Sequence, residues 1–465
     1  MAKNVYFVGI GGIGMSALAR YFMHEGYAVA GYDRTRTPLT ERLEAEGAEI
    51  HYHDSVEAIG EAFRDKESTF VVYTPAIPAD HSELCWFRSE GFEVVKRSEI
   101  LGHLSVGKYV MAVAGTHGKT STTTMVAWLN HCLTGGGNAF LGGISRNFES
   151  NLVLGSGERF AVEADEYDRS FLRLSPNVAV VTATDADHLD IYGTLENLRE
   201  AFAQFIRQIQ PCGALIIKKG VEVEIDNPEI RIYRYAVESE ADFYATNLRL
   251  CPDGRYMFDI VCPDRTIADC KLGIVGKVNV ENCIAAVAAV WAAGEVDEEK
   301  LRKALEEFCG VKRRMECYIN TPNTVYIDDY AHHPEELRAT ITSLREIFSE
   351  PKRKLTAIFQ PHLYTRTRDF YREFAEALSL ADEVILLPIY PARELPIEGV
   401  GSEMIAELVT VPHRIIAKER IAQEIGASQV DVVVSFGAGD IDQHCADIAT
   451  RLAEREERII AAKKE

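Results

Sequence analysis

The sequence predicts an α/β protein of three domains: a Rossmann-like first domain over residues 1–107, a P-loop-type central domain over 108–317 carrying an added small β meander, and an open α/β third domain over 318–465. Three observations predict this. A glycine fingerprint sits between a strand and a helix near the N-terminus. A second strand–turn–helix unit ends its turn in Gly-Lys-Thr. In the last third, four short apolar runs each end in a polar, Gly-rich or basic loop. A length of 465 residues is that of roughly three ordinary domains.

In the first domain, residues 4–8 are a short apolar run. Gly9-Ile-Gly11-Gly12-Ile13-Gly14 follows, and Met15, Leu18, Ala19 and Phe22 then recur at helical spacing. G-x-G-x-x-G in that context puts a diphosphate at a helix N-terminus, where unpaired N–H groups point at the ligand. Residues 29–33 read as the second strand, with Asp33 at its carboxyl end. The default reading is NAD with Asp33 on a ribose, but the same turn holds the diphosphate of any nucleotide, UDP-sugars included. Residues 70–73 form another strand, and Thr74 opens the loop at its carboxyl end, where ligands gather in open sheets. Arg97, after a strand at 92–96, reads as an ordinary surface cation, with contact to a phosphate as the alternative.

The central domain opens on a buried strand at 109–114, the turn Gly115-Thr116-His117-Gly118-Lys119-Thr120 and a helix from Ser121. The strict Walker spacing fails, because its first glycine would fall at Val113; the loop is a shorter variant. Its N–H groups, Lys119 and the Thr120 hydroxyl suit a nucleotide triphosphate and Mg²⁺. Asn147 and Asn151 fall in what reads as a polar loop. Glu163, Asp165, Glu166 and Asp168 cluster at the end of a strand, and Asp185, Asp187, His188 and Asp190 at the end of the next. Together they suggest Thr120, a Glu and a His around a divalent cation. Residues 230–275 look like a meander of short strands. Asn279 and Asn282 open an apolar helix, as caps or as readers of a base edge. Arg313 and Arg314 form a basic joint.

In the third domain, strands at 324–328, 355–360, 383–388 and 430–435 lead into Asp329-Tyr330-Ala331-His332-His333-Pro334, His362 to Asp369, Tyr390 to Glu394, and Gly437 to Asp440. Arg366 and Arg368, close to His362, suit a carboxylate or a phosphate.

Apolar content of 47% and charged content of 26% are those of a globular enzyme, and a net charge of −21 argues against nucleic acid or an anionic membrane as partner. Ten cysteines without a C-x-x-C pair fit a reducing cytoplasm better than a disulfide or zinc framework. No apolar run approaches the ~20 residues of a membrane span.

Taken in order, GIGGIGMSALA (9–19), AGTHGKTSTT (114–123), EADE (163–166), DHLD (187–190), the Asn279/Asn282 helix start, RR (313–314), DDYAHHP (328–334), FQPHLYTRTRD (359–369) and GAGD (437–440) resemble the Mur ligase family, ATP-dependent amide-forming enzymes of peptidoglycan synthesis. Within it the motifs resemble most the members that join L-alanine to the lactyl carboxylate of UDP-N-acetylmuramate through an acyl phosphate. A recycling ligase that attaches a murein tripeptide to the same UDP-sugar is the alternative, and an NAD-dependent dehydrogenase the alternative of another class. The resemblance implies ATP and Mg²⁺ as cofactors, small-molecule substrates only, a cytoplasmic location, and a monomer or weak homodimer. It implies UDP-sugar contacts at Gly11, Gly12, Ile13, Gly14, Asp33, Thr74 and Asn151, and nucleotide contacts at Gly115 to Ser121, Asn282, Arg314 and Asp329. Thr120, Glu163 and His188 become metal ligands; Lys119, Glu163, His188 and His332 become catalytic. Leu363 stands where relatives carry an Arg for the amino acid's carboxylate, which shifts that task to Arg366, Arg368 and His332.

Overall fold

The computed structural model describes residues 3–185, 189–251, 253–294, 296–392 and 394–462. It is an α/β structure built on three sheets. The first is all parallel, with strands β1 (Asn4–Val8), β2 (Ala28–Tyr32), β3 (Glu49–His51), β4 (Thr69–Tyr73) and β5 (Glu93–Lys96) in the order β3-β2-β1-β4-β5. The chain order reverses between β1 and β4, which opens a crevice at their carboxyl ends. Val8 is level with both Tyr32 and Tyr73, so Gly9, Asp33 and Thr74 emerge on one edge.

The second sheet has ten strands: β6 (Tyr109–Ala114), β7 (Asn138–Ser145), β8 (Ser150–Val153), β9 (Arg159–Glu163), β10 (Val178–Val181), β11 (Ala214–Lys218), β12 (Arg231–Val237), β13 (Phe243–Leu250), β14 (Arg255–Val261) and β15 (Thr266–Val275). Their order is β15-β14-β13-β12-β11-β10-β6-β9-β7-β8. The meander expected at 230–275 is therefore the continuation of the central sheet: β12 pairs in parallel with β11. Strand β6 is apolar and buried from Val110 to Ala114, the signature of a parallel strand covered on both faces. Its register sets Val113 against Glu163 and Ala114 against Val181, so the phosphate-type turn, Glu163 and Thr182 share an edge.

The third sheet contains β16 (Glu316–Asn320), β17 (Val325–Asp329), β18 (Leu355–Phe359), β19 (Glu383–Leu386), β20 (His413–Ile415) and β21 (Val432–Phe436), ordered β16-β17-β21-β18-β19-β20. Only β16 runs antiparallel in it. Asp329 and Phe359 are both level with Phe436, which brings the loops after β17, β18 and β21 to one rim.

The chain divides into two compact units. One comprises residues 1–248, 258–273 and 280–309; the other comprises 249–257, 274–279 and 310–465. In the first unit a single apolar core runs from Phe7, Leu18 and Phe22 of the first sheet's layer to Phe140, Phe160 and Phe171 of the central one. In the second unit, one core covers each face of the third sheet.

Two local readings are corrected. Residues 97–105, left without an element above, form the helix Arg97–Ser105, closed at its start by the Glu99 carboxylate on the Lys96 N–H. Asn151 lies not in a polar loop but within β8, fully buried. A buried amide needs partners, and these come from the helix Ile13–His24: Asn151 Nδ2 donates to the Ile13 carbonyl (2.5 Å) and the Ser16 hydroxyl (2.9 Å), while its Oδ1 accepts from Arg20 (2.7 Å). Arg20, itself 8% exposed, is held at its other end by Glu46.

This network pins the start of the first domain's helix to the central sheet. Replacing Asn151 by Ala strips a hydrogen bond from a buried guanidinium. The expected cost is about 1–3 kcal/mol, measured as a lower thermal midpoint; an unchanged midpoint shows that the network carries no stability.

Candidate functional site

The glycine turn of the first sheet is closed by its own strand neighbours. Gly9 sits at φ +91°, and a Cβ there would lie 2.8 Å from Thr74. Thr74 therefore lines the same turn. Asp33 accepts the Gly11 N–H at 2.7 Å through one carboxylate oxygen and the Thr35 N–H at 3.1 Å through the other. Its observed task is to shape the turn. Gly12 is the N-cap of the helix Ile13–His24, so Ile13 and Gly14 supply its first N–H groups. Asn151, expected as a substrate contact, spends both amide protons on Ile13 and Ser16 and holds the turn from behind.

At the carboxyl end of β6, Gly115 at φ +136° runs so close to Thr182 that a Cβ would come within 2.1 Å of its hydroxyl. Thr182 also donates to the His117 and Ala114 carbonyls, and Thr116 Oγ1 accepts the Asp185 N–H. Gly118, at φ +79°, caps the helix Lys119–Thr134. Ser121 stands partly exposed in that helix's first turn, and His117 is exposed. Lys119 folds back over the loop: its ammonium donates to the Gly115 carbonyl (2.7 Å) and to Glu166 (2.6 Å). Burial works against that charge, but Glu166 and then Glu163 outweigh it and hold the ammonium above its ordinary pKa. The Thr120 hydroxyl donates to Glu163 Oε1 at 3.2 Å. Asn282 sits beside the loop, its Oδ1 accepting from Thr122 at 3.3 Å; this position is next to the phosphate loop.

The acidic run after β9 is resolved into separate pairs: Glu163 with Thr120, Asp165 with Arg97 (3.2 Å), Glu166 with Lys119, Asp168 with Lys96 (2.9 Å). The expectation that these carboxylates gather on a cation therefore narrows to Glu163. Thr120 and Glu163 offer hard oxygen donors side by side, the chemistry Mg²⁺ prefers. Asp187 and His188 lie outside the described residues. Among the described residues, no three His, Cys, Asp or Glu side chains are grouped to hold a metal. Arg97 is the residue that sequence reasoning left between a surface cation and a phosphate contact. It is no bland surface cation but lies against Gly14 of the glycine turn while paired to Asp165.

In the second unit, Asp329 at the end of β17 is buried and accepts N–H groups of Met315 (2.9 Å) and Ala331 (2.8 Å). Burial pushes its pKa up to about 6 against the pull of Arg314. Arg313 and Arg314 lie over the Tyr330 ring at 5.2 and 5.3 Å, and Arg313 is further tied to Asp328 and the Gly437 carbonyl. His332 Nδ1 lies 3.1 Å from the Tyr330 carbonyl. A carbonyl only accepts, so Nδ1 carries the proton and Nε2 keeps its lone pair. Burial, assisted by Arg366 and opposed by Glu336, lowers the His332 pKa. His362, 6.1 Å away ring to ring and stacked on Tyr390, is lowered to about 4 by burial, His332 and Arg366. His362 Nδ1 and Arg366 Nη1 are both buried without a hydrogen-bond partner among the described residues. His333 instead serves as N-cap of the helix Pro334–Ile347 and packs on Phe370. Arg368 is not brought to this cluster. It is exposed and paired to Asp369 (2.8 Å), because residues two apart on the helix Tyr364–Leu378 face different ways. Leu363, before that helix, has φ +72° and ψ 137°, strained for a branched residue.

Among the described residues no helix is long and apolar enough to cross a membrane. Three family models match the chain in succession: the Mur ligase family catalytic domain over residues 4–109, the Mur ligase middle domain over 113–290, and the Mur ligase glutamate ligase domain over 313–457. A UDP-N-acetylmuramate–L-alanine ligase of Parabacteroides distasonis is 52% identical over 94% of this chain and 95% of its own length; one of Phocaeicola vulgatus is 49% identical over 96% and 97%. The crystal structure of the UDP-N-acetylmuramate–alanine ligase of Thermotoga maritima superposes with a TM-score of 0.82 at 28% identity, covering 97% of this chain and 99% of that one. A murein peptide ligase of Psychrobacter arcticus shares the fold, with a TM-score of 0.68 at 23% identity over 97% of this chain and 99% of its own. With its three domain types in order along the sequence and relatives matching at about half identity over nearly the whole length, the chain belongs to the Mur ligase family.

Proposed function

We propose that this protein joins L-alanine to the lactyl carboxylate of UDP-N-acetylmuramate, consuming ATP, as a step of peptidoglycan synthesis. The observation that carries the reading is the buried Lys119 ammonium over the loop Gly115–Thr120, with Thr120 and Glu163 beside it, in the same unit as the glycine turn. The names of the relatives at 52% and 49% identity favour L-alanine over a tripeptide, and the family membership sets aside the dehydrogenase.

A carboxylate cannot be attacked directly by an amine, because oxide is too poor a leaving group. Attack of a carboxylate oxygen on the γ-phosphorus of ATP forms an acyl phosphate and releases ADP. The amine then adds to the carbonyl, and phosphate departs. Lys119 stabilises the charge that builds on the transferred phosphoryl group, being already aimed and desolvated. Mg²⁺ held by Thr120, Glu163 and His188 would neutralise the phosphate oxygens. In the second unit, His332, neutral and with Nε2 bare, takes the proton of the incoming amine. The unpartnered atoms His362 Nδ1 and Arg366 Nη1 offer the amino acid's carboxylate its partners. Arg368 takes no part.

Phosphate release from ATP, followed with UDP-N-acetylmuramate against a panel of amino acids and the murein tripeptide, tests the reading; turnover must be fastest with L-alanine. Lys119→Ala is expected to lower kcat about 10²-fold or more, roughly 3 kcal/mol, while calorimetry finds UDP-sugar affinity within about twofold of the native value; equal loss of both defeats this division of labour. The His332 base has a depressed pKa, so its protonation begins below the usual histidine range. The acid limb of kcat/KM for L-alanine should therefore lie below pH 6.5 and vanish in His332→Asn; a limb that survives the substitution belongs to another group.

A further inference from the structure

Arg97 opens the helix Arg97–Ser105 at the carboxyl end of β5. Its guanidinium reaches across to the first turn of the twelve-residue helix Ile13–His24, where a Cβ on Gly14 would come within 2.2 Å of Nη1. The other end of the fork, Nη2, is 3.2 Å from Asp165 Oδ2. Gly14, Arg97, Asp165 and Glu163 line one cavity of about 90 Å³, walled on its apolar side by Phe140 and Leu101.

The pair is poorly explained as a stabiliser. Both side chains are part-exposed, at 23% and 35%, and such pairs contribute little. The acidic turn has an independent tether in Lys96 and Asp168. Asp165 also keeps a donor of its own when Arg97 leaves, since Oδ1 accepts the Tyr167 N–H at 3.1 Å. A planar guanidinium fork against the first turn of a helix can grip a phosphate at two points.

We propose that Arg97 binds the diphosphate of the UDP-sugar, and that Asp165 is the anion it exchanges for that ligand. This rests on the glycine turn being the UDP-sugar site of the proposed ligase. Arg97 thereby ties the diphosphate to the wall that carries Glu163, so that the substrate's acyl arm is held in the cavity between them.

The test is calorimetric titration of the full chain with UDP and, separately, with UDP-N-acetylmuramate. Arg97→Gln should weaken both ligands roughly tenfold or more. Asp165→Asn, which releases the guanidinium, should tighten both by roughly two- to fivefold, and the KM for ATP should stay unchanged in each variant. The proposal falls if Arg97→Gln binds UDP as tightly as the native chain, or if both variants lose affinity together as a purely structural pair would. A loss confined to UDP-N-acetylmuramate would move Arg97 to the lactyl carboxylate and also overturn it. A native chain that binds neither ligand would instead refute the ligase reading on which the proposal rests.

Discussion

The contact on which the first unit's proposed chemistry depends is the largely buried ion pair of Lys119 and Glu166. An ammonium taken out of water is costly unless paired and hydrogen-bonded. Here Glu166, buried without exposed surface, and the Gly115 carbonyl meet two of its three donors. The pair is weak grounds for stability, since a well-packed apolar substitute often does as well. What it secures is direction: the ammonium is fixed over its own loop instead of swinging in solvent, so little reorganisation remains when a phosphate arrives.

The second unit uses the opposite device. Its rim holds imidazoles pushed toward their neutral forms beside groups that stay charged. His332 and His362 are pushed toward their neutral forms by burial and by Arg366. Asp329, pushed up to about 6, is still ionised at neutral pH, and faces Arg314 there. Accepting a proton from an amine requires an uncharged imidazole, whereas stabilising a phosphoryl group requires a fixed cation. Differences in burial and neighbours between the two rims separate those requirements, so that each side chain is in a useful protonation state at one pH.

Much of this was legible in the sequence, and the legible part has a common cause. Gly115, Gly118 and Lys119 are recognisable because a loop that must run backbone against backbone leaves glycine in the chain itself, next to the charge it serves. The central strands of each sheet were legible because burial on both faces demands unbroken apolar runs such as residues 110–114, whereas short edge strands such as β3, β8 and β20 carry no such run. Arg97 and Asn151 were misread because their meaning lies in partners 68 and 138 residues away. An exposed and a buried asparagine look alike in one dimension. Arg366 and Arg368 looked equivalent as a pair, and only the helix beneath them, with a turn of 3.6 residues, shows that one points into the rim and the other out of it. The acidic run after β9 looked like one ligand set because cations drawn from two other segments cannot be seen beside it.

Those pairings also bear on how an acidic protein admits acidic ligands. A net charge of −21 repels nucleotides at long range, although salt confines that repulsion to about 8 Å at physiological ionic strength. Within that distance only local charge matters, and the first unit keeps its cations there: Lys96, Arg97 and Lys119 all lie along one acidic turn. Each is held in place by a carboxylate rather than neutralised for good. On the exchange proposed for Arg97, an entering phosphate meets an oriented donor, and the Asp165 carboxylate it replaces keeps the Tyr167 N–H. That exchange would trade one anion for another around a cation already held in place before the ligand comes.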